Sequence, residues 1–454
     1  MAIATINPTT GKTEKTFEPH DDAYVDKALQ KATDTFRDFS KMSFKDRARL
    51  MIGAADLLEG EIPDIARVMT TEMGKTFASA KAEVAKSASA LRWFAEHAEA
   101  LLEDEIVETS ATDSRAEFMP LGPVLAVMPW NFPMWQVIRF AAPALMLGNT
   151  GLLKHASNVP QTALIIEDVF HRAGYPDGAF QTLLVESSRI APIVADDRVK
   201  AVTLTGSDAA GRSVAEAAGR ALKKTVLELG GSDPFIVLRS ADIDRAVEVG
   251  VQARLQNNGQ SCIAAKRFIV HDDVYDEFSE AFVKRMAAAK LGDPMEPATT
   301  VGPLATSSGR DGVAEQVEDA REKGATVRCG GKIVDGPGFF YESTVLADLT
   351  PEMHVYSDEV FGPVAMLFRG SDSDEILHIA NDSPFGLGAS VWTNDAAERA
   401  RFVSELEAGM VFVNAMVASM PELPFGGVKQ SGYGRELSDL GIKEFALIKS
   451  VFVA

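Results

Sequence analysis

Two successive α/β domains, the first on a parallel sheet with helices on both faces, are the fold class this chain predicts. Three observations predict it. A helical opening gives way to short apolar runs that each end near a polar or glycine-bearing turn. Helical stretches separate those runs, and a second alternating stretch follows further along. Strand–helix alternation of this kind covers both faces of a parallel sheet with helices. Ligands then sit at the carboxyl ends of the strands.

The elements follow in order. Residues 22 to about 103 read mostly as helix, because "YVDKALQKATDTFRDF" and "AEVAKSASALRWFAEHAEALL" repeat apolar residues at three-to-four spacing. "VLAVMPW", "TGLLKH", "FQTLLV", "KAVTLTG" and "KTVLEL" are strand-like, with "PQTALIIEDVFHRAG" and "AAGRSVAEAAGRALK" as helices among them. From about 266 to 425, "RFIVHDDV", "ATVRCGG", "VAMLFRG", "ASVWTN" and "MVFVNA" read as strands, and "VYDEFSEAFVKRMAAAKLG" and "DGVAEQVEDAREKG" as helices. The tail "GIKEFALIKSVFVA" ends in a bare apolar run. An apolar terminal strand needs a partner. Its own domain or a second copy of the chain can supply one.

Composition narrows the function classes. A chain of 454 residues, 46% hydrophobic, can bury a large core without staples. The formal net charge of −20 argues against nucleic acid and against an anionic membrane surface. Cys262 and Cys329 lie far apart, which favours a reducing compartment over a disulfide framework. The start "MAIATINPTTGK" lacks the basic and apolar regions of a signal peptide. The apolar stretch near "VIRFAAPALMLG" is too short to span a bilayer and contains Arg139. A soluble cytoplasmic protein is expected. No HExxH and no Cys/His ligand spacing occurs, so no metal is expected.

Several short motifs carry chemistry, each with a plainer alternative. In "QNNGQSC", Cys262 follows a polar turn that would present a thiol to a cleft, although free cysteine is commonly a buried packing residue. "LTGSDAAGR" follows a strand and opens a helix. Gly206 permits the turn, Ser207 caps the helix, and the N–H groups there suit a phosphate, as they would in any βα loop. Lys154 in "LLKHAS" closes a strand where it could reach ribose or phosphate, or simply lie at the surface. Glu228 in "VLELGGSDP" stands in an apolar strand, where desolvation raises a carboxyl pKa and suits a general base. Strand alternation could equally point it to solvent. In "MPWNFPMW" two prolines bracket Trp130, Asn131 and Phe132, and a rigid Asn131 amide would suit an oxyanion. The same bracket could be a structural turn.

Taken together and in order, "PWNFP", "LLKHAS", "LTGS", "LELGG", "NNGQSC", "EVFGPV" and "PFGGVKQSGYGRE" resemble the aldehyde dehydrogenase superfamily, from "INPTTGK" almost to the last residue. "LLKHASNVPQ", "LELGGSDPF" and "GQSCIAAKRFIVH" read like its bacterial NADP-dependent succinate-semialdehyde dehydrogenases. The resemblance implies a Rossmann-type cofactor domain, an α/β catalytic domain and a small β oligomerisation element. The corresponding boundaries are 1–228 for the cofactor domain, with 104–121 contributing to the oligomerisation element. The catalytic domain spans 229–426, and 427–454 returns to the cofactor domain and supplies the oligomerisation strand. A homodimer or homotetramer is implied.

The resemblance also assigns roles. Cys262 matches the nucleophile, Glu228 the base and Asn131 the oxyanion donor, together with the Cys262 backbone N–H. Trp130, Lys154, His155, Ala156, Ser157, Gly206, Ser207 and Leu229 match cofactor positions, and Glu359 with Phe361 matches the pair on the nicotinamide ribose. NAD-preferring members commonly carry Glu where this chain has Ser157. A carboxylate there would repel a 2′-phosphate, so NADP is expected over NAD. Arg139, Trp135, Ser419 and Ser261 match the substrate end, with Arg139 on the distal carboxylate of a semialdehyde; Arg139 could instead pair with an internal carboxylate. Two departures stand out. Gln256 replaces a second arginine found in some relatives, and Ala264 replaces a second cysteine, which leaves Cys262 no neighbour with which to form a local disulfide.

Overall fold

The computed structural model describes residues 2–454. Four helices open the chain after a short antiparallel hairpin of Ile3–Asn7 with Lys12–Phe17: Asp22–Phe39, Phe44–Gly60, Ile62–Met73 and Phe77–Leu101. Asp21, Ser43 and Thr76 cap three of them by accepting from backbone N–H groups. Their apolar faces, including Met51, Leu58, Val84 and Leu91, are fully buried. The periodic spacing therefore marks this region as it should.

The first large sheet orders Gly432–Tyr433, Lys224–Glu228, Ala201–Thr205, Pro123–Met128, Thr150–His155 and Phe180–Thr182. All pairings are parallel except that of Gly432–Tyr433, which returns from the C-terminal segment. Starting from Pro123–Met128, the chain builds outward through Thr150–His155 to Phe180–Thr182. It then reverses and lays Ala201–Thr205 on the other side of Pro123–Met128. That reversal is the topological switch point, where an open sheet leaves a crevice beyond its strand ends. The loops that carry Trp130 and Gly206 leave from those two strands.

The second sheet has seven strands, ordered Thr326–Cys329, Thr344–Ala347, Val364–Gly370, Arg267–His271, Pro234–Val237, Gly388–Trp392 and Met410–Val413. Only the first pair is antiparallel. All seven fall between residues 229 and 426. "FQTLLV" yields a strand of only three residues, because the chain turns away after Thr182. The strand Lys12–Phe17 carried no apolar signal, since it lies almost wholly exposed.

The tail finds a partner in its own chain. Ala446–Val453 pairs antiparallel with Asp113–Pro120 along its full length, and Glu105–Ile106 completes a three-stranded sheet. Its other edge is open, and Ile448 and Phe452 on it are 57% and 61% exposed. Among the described residues no helix is long and apolar enough to cross a membrane, and no group of three or more His, Cys, Asp and Glu is placed to hold a metal ion.

Candidate active site

Cys262 lies on the turn that precedes Arg267–His271. The turn is tight. Asn257 and Asn258 adopt φ of 54° and 58°, and Gly259 follows at 76°. Asparagine tolerates this left-handed region better than most residues because its short side chain bonds locally. Here Asn257 Nδ2 donates to Asn131 O at 2.7 Å and to Gln260 O at 2.9 Å. Asn258 Nδ2 donates to Gly74 O at 2.8 Å and Pro303 O at 3.0 Å. The polar lead-in to the thiol is thus a buried clamp.

Two cavities meet at Cys262, each of about 270 Å³. The first lies at the switch point and is lined by Trp130, Asn131, Gly206, Ser207, Leu229, Glu359 and Phe361. The second is lined by Lys86, Trp135, Arg139, Ser261 and Ser419, among others.

Asn131 Nδ2 donates to Gln260 O at 3.1 Å, which holds the amide against the cysteine turn and leaves its second N–H free. The Cys262 backbone N–H donates to no acceptor among the described residues. These two donors stand ready for an oxyanion. Burial pushes the Cys262 thiol up to about 12, with Arg139 and Lys266 pulling the other way. The resting sulfur is therefore a thiol and not a thiolate.

Glu228 ends the strand Lys224–Glu228 and is 2% exposed, which rules out the solvent-facing alternative. Neither carboxylate oxygen has a hydrogen-bond partner among the described residues. Burial first, and then the nearby Glu436, push its pKa well above the usual carboxylate range. The side chain lies against Gly426 and lines neither cavity in this conformation.

On the cofactor side, Ser207 caps the helix Asp208–Arg220 by accepting from Ala210 N at 3.3 Å. Trp130 meets Phe361 edge-on at 5.7 Å between centroids. Lys154 is 8% exposed, and its ammonium has no carboxylate or hydrogen-bond partner among the described residues. Desolvation lowers its pKa. Ser157 lies three residues on, held by Ala4 N on its carbonyl at 2.9 Å. A buried cation without an anion, a capped helix N-terminus and an aromatic pair suit a phosphorylated dinucleotide, and the absence of an acid at 157 suits one with an extra phosphate. Glu359 accepts from Gly231 N at 3.1 Å and pairs with Lys266 Nζ at 3.1 Å. Lys266 also donates to the Ser261 and Cys262 carbonyls, both at 2.8 Å, so one fully buried ammonium ties the Glu359 loop to the nucleophile turn.

Two expected site residues also have partners within the protein. His155 does not open onto the cofactor cavity. Its ring engages Met128 O at 3.2 Å and Pro133 O at 2.8 Å, and its Nδ1 is also 2.9 Å from Ala156 N. It braces the loop that carries Trp130 and Asn131; Lys154, Ala156 and Ser157, like it, lie beyond the residues that line this cavity. Arg139, expected on a substrate carboxylate, is ion-paired with buried Glu436, donates to Thr205 Oγ1 at 3.3 Å and covers the Phe425 ring. Arg139 also lines the second cavity, so the internal pairing and the expected place at the substrate end occur together. The signal was present in "GYGRE", but nothing local to the motif tells where its glutamate points. Ser261 lines the second cavity with a fully buried hydroxyl.

Lys86 escaped the sequence reading. It rises from the helix Phe77–Leu101, donates to Ser419 Oγ at 2.8 Å and lies 4.1 Å from the Trp135 ring centroid. A single lysine on a helix dense in small residues has no signal of its own.

A thiol between a crevice at the switch point and a second cavity that holds Lys86 and Arg139 is an arrangement suited to an enzyme of thiol-mediated carbonyl oxidation. Comparison with known proteins agrees. The model of the aldehyde dehydrogenase family matches residues 1–451. Succinate-semialdehyde dehydrogenase [NADP(+)] of Mycobacterium avium is 59% identical, covering all of this chain and 97% of the relative. Its counterpart numbered 1 in Mycobacterium tuberculosis is 58% identical with full coverage of both chains. The crystal structure of a succinic semialdehyde dehydrogenase from Streptococcus pyogenes, in complex with NADP+, superposes with a TM-score of 0.98 at 38% identity and full coverage of both chains. This chain belongs to the aldehyde dehydrogenase family.

Proposed function

We propose that this enzyme oxidises succinate semialdehyde to succinate with NADP as hydride acceptor. The observation that carries the reading is Cys262 at the meeting of the two cavities, one lined by Trp130, Gly206, Ser207, Glu359 and Phe361 and the other by an apolar wall with Lys86, Arg139 and Ser419. The similarity to relatives named for this reaction supports it.

The thiol of Cys262 gives up its proton to water as its sulfur bonds to the aldehyde carbon and the carbonyl π pair moves to oxygen, which forms the thiohemiacetal as its oxyanion. The Asn131 amide and the Cys262 N–H hold the oxygen as it gains charge. The bound nicotinamide ring supplies the acceptor for the hydride that leaves the carbon. A thioester then remains on Cys262. Glu228 rotates from its rest beside Gly426, takes a proton from water, and the hydroxide cleaves the thioester to the free acid. Its raised pKa makes it a stronger base than an ordinary carboxylate. Trp130, Glu359 and Phe361 hold the nicotinamide half, and Lys154 with Ser157 reads the 2′-phosphate. We place the protein in the cytoplasm, in keeping with two free cysteines. The open apolar edge of Ala446–Val453 serves assembly as a homodimer or homotetramer.

Product analysis tests the reaction type. Succinate semialdehyde and NADP should give succinate and NADPH in equal amounts, unaffected by added coenzyme A. Formation of an acyl-coenzyme A would replace hydrolysis with acyl transfer and remove Glu228 from its role.

A further inference from the structure

We propose that Lys266 is a positioning residue for the oxidation and acts through the Ser261–Cys262 peptide: its ammonium holds and polarises the carbonyl end of the peptide whose N–H faces the substrate oxygen. The role rests on the reading above, in which the Cys262 N–H receives an oxyanion.

The chain brings lysine and turn together within a few residues. Ala264 N donates to Ser261 O at 3.1 Å and closes the turn, and the small buried side chains of Ala264 and Ala265 let the chain fold back. The Lys266 backbone is then fixed at the start of the second sheet. Its N–H donates to Asp233 O at 3.1 Å, and its carbonyl accepts from Met366 N at 2.9 Å. From that base the side chain, 0% exposed, reaches back and donates to Ser261 O and Cys262 O, both at 2.8 Å. Glu359 Oε1 at 3.1 Å is the third oxygen around the ammonium, which matches its three donors. Gly231 closes the far side of the turn. A Cβ there would come within 2.6 Å of Cys262 O, so no side chain fits and the carbonyl is left to the ammonium.

A peptide group is planar and trans, so its N–H points away from its own C=O. Ser261 O therefore meets a cation at one end of the peptide, and the Cys262 N–H, without an acceptor among the described residues, is presented at the other. A charge-assisted bond at the carbonyl draws electron density toward oxygen and makes the N–H a stronger donor. The charge is fully buried, where water screens it little. Burial lowers the Lys266 pKa, and Glu359 opposes that shift and favours the charged form. The stronger donor gains most when the substrate oxygen becomes anionic, so it lowers the barrier more than it tightens substrate binding. Asn257 and Asn258 clamp the turn by separate bonds, so loss of Lys266 removes a charge while those clamps remain.

Glu228→Gln protein should hold the thioester unhydrolysed. Succinate semialdehyde labelled with heavy carbon at its aldehyde position then leaves a labelled thioester on Cys262, whose carbonyl stretch is read by isotope-difference infrared spectroscopy. That stretch falls as the oxygen is held more strongly. Adding Lys266→Met should move it to higher wavenumber, and Lys266→Arg should bring it part of the way back. With Glu228 intact, Lys266→Met should slow NADPH formation in the first turnover about tenfold, short of the roughly 10²–10³ expected for losing an oxyanion donor outright. Lys266→Gln keeps a neutral donor and should shift the band the same way by less; it carries the test if the Met variant does not fold. A slowed first turnover with the stretch unmoved would make Lys266 a prop for the turn and overturn its polarising role, as would rate and stretch both unchanged. No labelled thioester in the Glu228→Gln parent would overturn the proposed reaction, and the role of Lys266 with it.

Discussion

The two cavities that meet at Cys262 are built differently. The cofactor side is assembled from strand ends and the turns that leave them: Trp130 and Asn131 after Pro123–Met128, Gly206 and Ser207 after Ala201–Thr205, and Leu229 after Lys224–Glu228. The substrate side is assembled from elements remote in sequence: Lys86 on an N-terminal helix, Arg139 on another, Ser419 on a late loop and Glu436 beyond it. A crevice at a switch point comes with the sheet, so its chemistry stays close to short motifs. A funnel between helices and loops exists only after tertiary packing. The comparison teaches that the shared reaction belongs to the first kind of site and selectivity among aldehydes to the second.

Substitution at the junction should affect every substrate and both coenzymes alike. Cys262→Ala should lower turnover about 10⁴-fold or more while leaving fold and coenzyme binding intact, as circular dichroism and a coenzyme titration would show. A change that spared butanal would break the shared-nucleophile account. Asn131→Ala should reduce kcat about 10²–10³-fold, again for every aldehyde; a loss confined to KM would mean that the amide only positions substrate.

Changes on one side should leave the other untouched. Ser157→Glu places a carboxylate near Lys154 and should cut the NADP-over-NAD preference about 10–100-fold, leaving the ratio of succinate semialdehyde to butanal unchanged. If that aldehyde ratio moved as well, the two cavities would not be separable. The smallest expected effect concerns the resting thiol. Since burial pushes Cys262 up to about 12, the thiolate fraction below that value falls with each step toward neutral pH. Alkylation by iodoacetamide in coenzyme-free protein should therefore rise about tenfold per pH unit between pH 7 and 10. A plateau near neutral pH would show that the thiolate is already formed at rest.

Legibility followed the same division. The parallel sheets, the four N-terminal helices and the nucleophile turn are encoded in local patterns: apolar periodicity, strand–helix alternation, and the paired asparagines that accept φ near 55°. Cys262, Asn131 and Glu228 each sit in such a pattern. The partners of the His155 ring, Met128 O and Pro133 O, are less legible, since strand alternation turns it to the face opposite Lys154 and its contacts come from the neighbouring strand and loop. That Arg139 pairs with Glu436 in particular is not legible in the sequence, because Glu436 lies 297 positions later and no local rule pairs residues at that separation. Lys86 and Lys266 went unseen for the same reason: a buried lysine is recognised by its partners, and those come from other elements. The tail strand was recognised as needing a partner, and the chain itself supplies one through Asp113–Pro120 while leaving the opposite edge free.

The central claim is that one thiol serves a coenzyme side selecting NADP and a substrate side selecting a carboxylate. Initial rates at the reduced-nicotinamide absorbance band test it directly, with succinate semialdehyde or butanal crossed with NADP or NAD. The account predicts the highest kcat/KM for succinate semialdehyde with NADP, and a loss of about tenfold or more for either single exchange. Butanal oxidised as efficiently as the semialdehyde would contradict the cationic funnel, and equal use of NAD would contradict the reading of Ser157 and Lys154.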